Sequence, residues 1–176
     1  MRTKKMVLCA LMGALLCVTA PFSIPVPFSP VPVTLATFIL YLTVFLLTKK
    51  QAVCACLVYL AAGMAGLPVF AGFMGGFSVL AGPTGGYLAG YVLLVWSGAF
   101  FVKCFPKTFI GRIASLTAAM VLCYLFGTLW FCVQMQVGIA AGFAMAVLPY
   151  LPFEFCKIVA AASAGPKIAA AVRRAG

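Results

Sequence analysis

The sequence predicts an all-α, polytopic membrane protein: six transmembrane helices, both termini on the inner side, and a glycine-rich outer loop between helices 3 and 4. Three observations carry this. Of the 176 residues 66% are hydrophobic and only 7% charged, against about 45–50% and about 25% in soluble domains. The apolar residues form runs of roughly membrane-spanning length. The basic residues gather in alternate loops only. With almost nothing left over for an extramembranous region, residues 1–176 make a single domain.

The first span runs from about Lys5 to Ala20. Its basic start resembles a signal peptide, but Pro21 follows at once and no cleavage signature is evident, so a retained span is expected. Pro21 to Pro32 holds five prolines in twelve residues and is expected to be a stiff, extended loop. Span 2 covers about Val33 to Thr48 and span 3 about Ala52 to Gly66. Leu67 to Gly86 is the glycine-rich segment, span 4 runs from about Tyr87 to Val102, and span 5 from about Ile113 to Phe131. Pro149 and Pro152 set the last boundary, because proline suits the first helical turn and pushes its predecessor out of the helix. Span 6 is therefore expected from about Pro152 to Val172, with Gln134 to Tyr150 as an outer connector; a continuous span from Gly138 to Lys157 is the competing placement.

Orientation follows from charge. Arg2, Lys4 and Lys5 precede span 1, Lys49 and Lys50 follow span 2, Lys103, Lys107 and Arg112 follow span 4, and Lys167, Arg173 and Arg174 end span 6. The other loops carry no Lys or Arg, which puts both termini on the cytoplasmic side and the proline-rich, glycine-rich and Gln134 segments outside. The formal charge of +11 is accounted for by these clusters and their contact with anionic lipid, not by nucleic acid, since no polar domain presents a basic face.

The chain has eight Cys and no His. That excludes Cys/His zinc sites and His-dependent triads, and scattered free Cys in apolar runs behave as small hydrophobes. No metal and no cofactor are expected, and no enzyme, for want of a nucleophile–base pair. A pore would need polar residues through its full depth, whereas polarity here is concentrated on the outer half.

Glu154 is the only acidic residue, and Lys157 follows three positions later inside an apolar stretch. Intramembrane ionisable residues mark functional sites by default, and this spacing puts both heads on one helix face. A structural ion pair is the alternative, though such a pair is seldom a net stabiliser. The glycine-rich segment, with Phe73, Gly75, Gly76, Phe77, Thr84, Gly85 and Tyr87, is too long for a simple turn. Non-helical backbone at membrane depth lines a cavity or is buried, so this segment is expected to dip inward and offer aromatic faces and amide N–H groups. With Thr34 and Gln134 these elements converge on an outer mouth, the usual form of a small-molecule pocket. In span 1, Ala10, Ala14 and Val18 share one face whose small residues allow close helix approach. Internal packing and docking to another membrane protein remain equal readings of that face.

The runs Pro30-Val31-Pro32-Val33-Thr34-Leu35, Gly66-Leu67-Pro68-Val69-Phe70 and Gly82-Pro83-Thr84-Gly85-Gly86-Tyr87 resemble the BioY family, the biotin-binding membrane subunits of bacterial energy-coupling-factor (ECF) transporters. The resemblance covers nearly the whole chain. It implies an S component of the bacterial cytoplasmic membrane, multi-pass, that captures biotin outside and passes it on for ATP-driven uptake. The implied partners are a membrane coupling subunit, met by the Ala10, Ala14 and Val18 face, and two ATPase subunits. A different vitamin or small organic anion, bound by the same architecture, is the alternative ligand. The family commonly has Pro-Gly-Asp near the start of span 6, where this chain has Pro152-Phe153-Glu154; some members carry Arg where Met74 stands; and Ala36 occupies a position that is often polar. In ligand terms, Glu154 can accept from and Lys157 donate to the ureido group of biotin, and Phe73, Phe77 and Tyr87 can hold its rings. The N–H groups of Gly75, Gly76 and Gly85 with Thr84 are then expected to meet the carboxylate; the reverse assignment, Lys157 to carboxylate, stays open.

Overall fold

The computed structural model describes residues 2–26 and 29–174; Pro27 and Phe28, inside the proline-rich run, lie outside the described residues. The chain is mostly helical. In order, α1 (Arg2–Thr19) leads into a hairpin of β1 (Ser23–Val26) and β2 (Ser29–Thr34). Then follow α2 (Ala36–Leu46), α3 (Lys49–Met64), a short α4 (Phe77–Ala81), α5 (Gly85–Cys104), α6 (Phe109–Met135), α7 (Ile139–Ala146) and α8 (Leu151–Arg174). By length and apolar composition α5, α6 and the stretch Ile139–Arg174 can each cross a membrane, which makes this a multi-pass membrane protein.

The proline-rich run is not a loop, as its composition suggested, but a two-stranded antiparallel hairpin with Ser23 opposite Thr34 and Ile24 opposite Val33. Prolines are compatible with it for a local reason. In an isolated ribbon every second N–H points away from the partner strand, and a bulge between Ile24 and Val26 accommodates Pro25. The hairpin shortens the helix that follows: α2 has 11 residues instead of the span expected from Val33 to Thr48, about 16 Å of rise. Hairpin backbone thus occupies depth that a helix was expected to fill. Lys49 and Lys50 lie in the first turn of α3 and not in a loop, because Thr48 and Gln51 form a capping box there.

The glycine-rich segment is structured. Phe70, fully buried, turns back onto α3, packs edge-on to Tyr59 at 5.6 Å, and fills the space a Cβ on Gly63 would need. A single 3₁₀ turn, Ala71–Phe73, and α4 follow, and α5 starts at Gly85, two residues before the expected position. Between Gln134 and Tyr150, the expected connector is the end of α6, the short α7 and a 3₁₀ turn. A break at Val147 (φ −126°, ψ −55°) separates α7 from α8 within the stretch Ile139–Arg174.

The main core is centred on Leu16, Leu40, Tyr41, Tyr59, Leu94, Leu116 and Ile158, and a smaller cluster of Tyr87, Phe131 and Ala146 joins α5, α6 and α7. The two ends of the bundle differ. At one end Cys9 of α1 reaches the carbonyl of Gln51 in α3, and Lys49 lies 3.7 Å from the ring centroid of Trp96 in α5. The basic starts of α1 and α3 therefore sit beside the later turns of α5. At the other end the hairpin, the glycine-rich segment, α7 and the start of α8 come together. Gly72 N–H donates to Pro21, Gln134 to Ala81, Trp130 to Gly82, and Tyr150 hydroxyl to the Val31 carbonyl.

Candidate functional site

At this second end, the start of α8 brings the one acidic side chain of the chain against α2. Glu154 is 4% exposed. Its Oε1 accepts from Thr37 Oγ1 at 2.8 Å and from Lys157 Nζ at 2.7 Å; its Oε2 accepts from the Tyr41 hydroxyl at 2.7 Å. Lys157 Nζ donates further to the Thr34 carbonyl at 2.6 Å and to Thr37 Oγ1 at 3.0 Å. An ammonium has three hydrogens, so all are engaged. Four residues thus tie α8 to α2 and to the last residue of the hairpin, and charge-assisted bonds of this kind are the strong ones. Among the described residues no buried side-chain nitrogen or oxygen lacks a partner.

Lys157 also forms part of a cavity wall. A cavity of about 660 Å³ lies between the hairpin and α8, bounded by Phe22, Ser23, Thr34, Phe73, Phe153, Cys156 and Lys157 among others. Its size is that of a small-molecule pocket. Its wall is apolar apart from Ser23, Thr34 and Lys157, and Lys157 is the one charged side chain on it. Phe22 and Phe73 meet edge to face at 5.4 Å. Phe73 has a positive φ of 58°, a conformation that side-chain-bearing residues seldom adopt without a local reason.

A smaller cavity, about 230 Å³, lies on the other side of the hairpin, against Thr84, Tyr87, Tyr91 and Val79. Ser23, Thr34 and Gly72 border both spaces. Tyr87 is fixed by contacts of its own. Its hydroxyl lies 3.0 Å from Thr128 Oγ1 and donates to the Ala146 carbonyl at 3.4 Å, its ring meets Tyr124 edge-on at 5.9 Å, and it occupies the space left by Gly127.

The structure brings some of the sequence-selected residues together and separates others. Thr34 borders both cavities, Phe73 and Lys157 the larger, Thr84 and Tyr87 the smaller. Glu154, Gly75, Gly76, Phe77, Gly85 and Gln134 border neither. The N–H groups of Gly76 and Gly85 are already spent on the carbonyls of Gly63 and Gly82, at 2.7 and 3.1 Å. Gly75 is held where a Cβ would overlap the Leu67 backbone. Gln134 ties its amide to α4 at 2.6 Å. Ala10, Ala14 and Val18 face outward on α1, while Met12, Gly13 and Leu16 face the core. Among the described residues no three Cys, Asp or Glu side chains gather to hold a metal ion.

Several wall residues escaped the sequence-based selection. Phe153 and Cys156 each immediately precede a member of the charged pair in α8, and Tyr91 lies one turn after Tyr87, so spacing alone could have found them. Thr37 and Tyr41 are also one turn apart, a two-hydroxyl face on a helix whose one other hydroxyl, Thr43, bonds back to its own backbone at Ile39.

Comparison with known proteins agrees with this architecture. A biotin transporter BioY from Thermotoga maritima is 35% identical over 145 residues, 79% of this chain and 81% of the relative. A probable biotin transporter BioY from Pyrococcus horikoshii is 34% identical over 161 residues, 92% of this chain and 93% of the relative. The crystal structure of the S component for biotin from an ECF-type ABC transporter superposes with a TM-score of 0.89 over 95% of this chain and 91% of that one, at 22% identity, and shares its fold. The BioY family model matches residues 1–174, and the chain belongs to the BioY family.

Proposed function

We propose that this chain is the biotin-capturing S component of an ECF transporter, taking up biotin from the outer side and delivering it to a membrane coupling subunit driven by two ATPase subunits. Family membership supplies the ligand class. The single structural observation that supports it is Lys157: one ammonium, backed by Glu154, on the wall of an apolar cavity of about 660 Å³. Biotin has a neutral urea whose carbonyl is a strong acceptor, an apolar thiophane ring and an acidic tail. Lys157, its charge balanced by Glu154, suits the urea oxygen, which would take one of its three hydrogens in exchange for the Thr34 carbonyl, because a second carboxylate in an apolar space would stand against an already neutralised cation. Phe22, Phe73 and Phe153 suit the ring, with Thr34 as a hydroxyl-bearing contact beside it, while Thr84 and Tyr87 border the smaller cavity across the hairpin. Gly75, Gly76, Phe77, Gly85 and Gln134 act at one remove, by shaping and anchoring the segment that carries Phe73 and Thr84.

The basic starts of α1 and α3 and the later turns of α5 then lie at the cytoplasmic face, with six spans and both termini inside. The outward face of Ala10, Ala14 and Val18 is the docking face for the coupling subunit. An equilibrium titration of the purified protein with labelled biotin tests this function. Saturable binding, competed by unlabelled biotin and not by other water-soluble vitamins, is expected. Displacement by a different vitamin at lower concentration than biotin overturns the ligand assignment.

A further inference from the structure

Thr37 and Tyr41 belong to neither cavity wall, yet both hydroxyls are committed to Glu154. They stand one turn apart on α2, 7% and 0% exposed, and donate to opposite oxygens of the same carboxylate, at 2.8 Å to Oε1 and 2.7 Å to Oε2. Glu154 sits three residues before Lys157 on the same helix, where a carboxylate left to itself can turn both oxygens to the ammonium. The phenol on Oε2 opposes that turn. It holds the carboxylate toward α2, so that only Oε1 meets Lys157, and the ammonium remains at the cavity wall.

We infer that Thr37 and Tyr41 are positioning residues for ligand binding. They fix Glu154 as an internal counter-charge behind Lys157, and the cavity is bordered by a neutralised ammonium, which meets a ligand by giving up its bond to the Thr34 carbonyl, instead of by a carboxylate. This role rests on the proposed capture of biotin and adds to it two residues that do not touch the ligand. It also gives Glu154 a part that acts through Lys157. Thr37 has a second connection: its oxygen accepts from Lys157 at 3.0 Å while its hydrogen goes to Glu154, so it fixes both members of the pair.

The test is a double-mutant cycle on biotin affinity, measured by equilibrium titration of purified protein in detergent. Tyr41→Phe removes one oxygen from a buried ring. It is expected to weaken biotin binding roughly tenfold, the scale of one hydrogen bond to a charged group. In a Glu154→Gln background the same change is expected to alter affinity by less than about twofold, because the carboxylate it positions is gone. Equal weakening in both backgrounds assigns Tyr41 to core packing and overturns the proposal, as does unchanged affinity in the wild-type background. Thr37 supplies a parallel series that stands even if Tyr41→Phe fails to insert. Thr37→Ser keeps the hydroxyl and should retain affinity, and Thr37→Val should lose it; equal affinity of the two overturns the role of Thr37. A wild-type protein that binds no biotin removes the proposed function and this role together. Wild-type binding with an indifferent Tyr41→Phe and Thr37→Val removes this role alone.

Discussion

Lys157 donates to the main-chain carbonyl of Thr34 at 2.6 Å, so a largely buried cation of α8 is bonded to the residue at which the hairpin gives way to α2. Thr34 is the last residue of β2, paired with Ser23, and its carbonyl takes this donor where the strand gives way to helix and water is scarce. Lys157 therefore both closes that junction and serves the cavity. Lys157→Ala should weaken biotin binding at least tenfold and also lower the melting temperature in detergent. The second effect arises because Glu154, 4% exposed, is left as an unpaired buried charge, a loss of about 3–5 kcal/mol in comparable cases. The double variant Glu154→Gln/Lys157→Met should recover much of the melting temperature without recovering binding. Recovery of both would make the pair purely structural.

Phe73 makes a separable prediction. It is 58% exposed, borders the larger cavity and makes an edge-to-face contact with Phe22, worth about 0.5–1.5 kcal/mol beyond burial. Phe73→Ala should raise the dissociation rate of biotin by about three- to tenfold with little change in melting temperature, because no core contact is lost. A kinetic trace unchanged from wild type would take Phe73 off the ligand.

How much of this could be read from sequence differs by feature, for physical reasons. The pair Glu154–Lys157 was legible because a charge in an apolar run has no neutral explanation. The boundaries of α5 lay within two residues of the expected Tyr87 to Val102, because the basic loop after it marks its end, whereas α6 runs four residues beyond each end of the expected Ile113 to Phe131, starting at the Thr108 cap. The hairpin was not legible. Pro25, Pro30 and Pro32 argue against a sheet interior, and only the pairing of Ser23 with Thr34 across the turn reveals that the free edges of a two-stranded ribbon accept them. Nor could the sequence locate the partners of Glu154, because Thr37 and Tyr41 lie more than a hundred positions away and read as ordinary helix residues.

Two glycine substitutions should move stability in opposite directions. A Cβ on Gly85 would overlap the carbonyl oxygen of Leu80, a backbone atom at the end of α4 that cannot step aside. A Cβ on Gly13, inside α1, would sit 3.5 Å from the Ala55 oxygen, an ordinary contact. Gly85→Ala should lower the melting temperature and weaken biotin binding together, by displacing α4 and the neighbouring Thr84. Gly13→Ala should leave binding unchanged and hold or raise the melting temperature, as alanine is favoured over glycine by about 1 kcal/mol within a helix. Thermal denaturation of the purified variants decides it; a Gly85→Ala protein as stable as wild type would show that α4 is free to shift.

The docking role proposed for the outward face of α1 predicts an effect on assembly and not on capture. Ala14 is exposed between Ala10 and Val18, while the opposite side of the helix packs Met12 and Leu16 into the core at 3% and 0% exposure. Close approach of a second helix requires small side chains along that line. A leucine there adds bulk only where a partner would come. Ala14→Leu should therefore bind biotin with wild-type affinity but fail to co-purify with the membrane coupling subunit and support no ATP-driven uptake, whereas Ala14→Gly should assemble normally. Normal co-purification of Ala14→Leu would move the docking face elsewhere on the bundle. Loss of biotin binding in the same variant would show instead that α1 packing reaches the cavity, through the Gly72 N–H bond to Pro21 at the end of that helix.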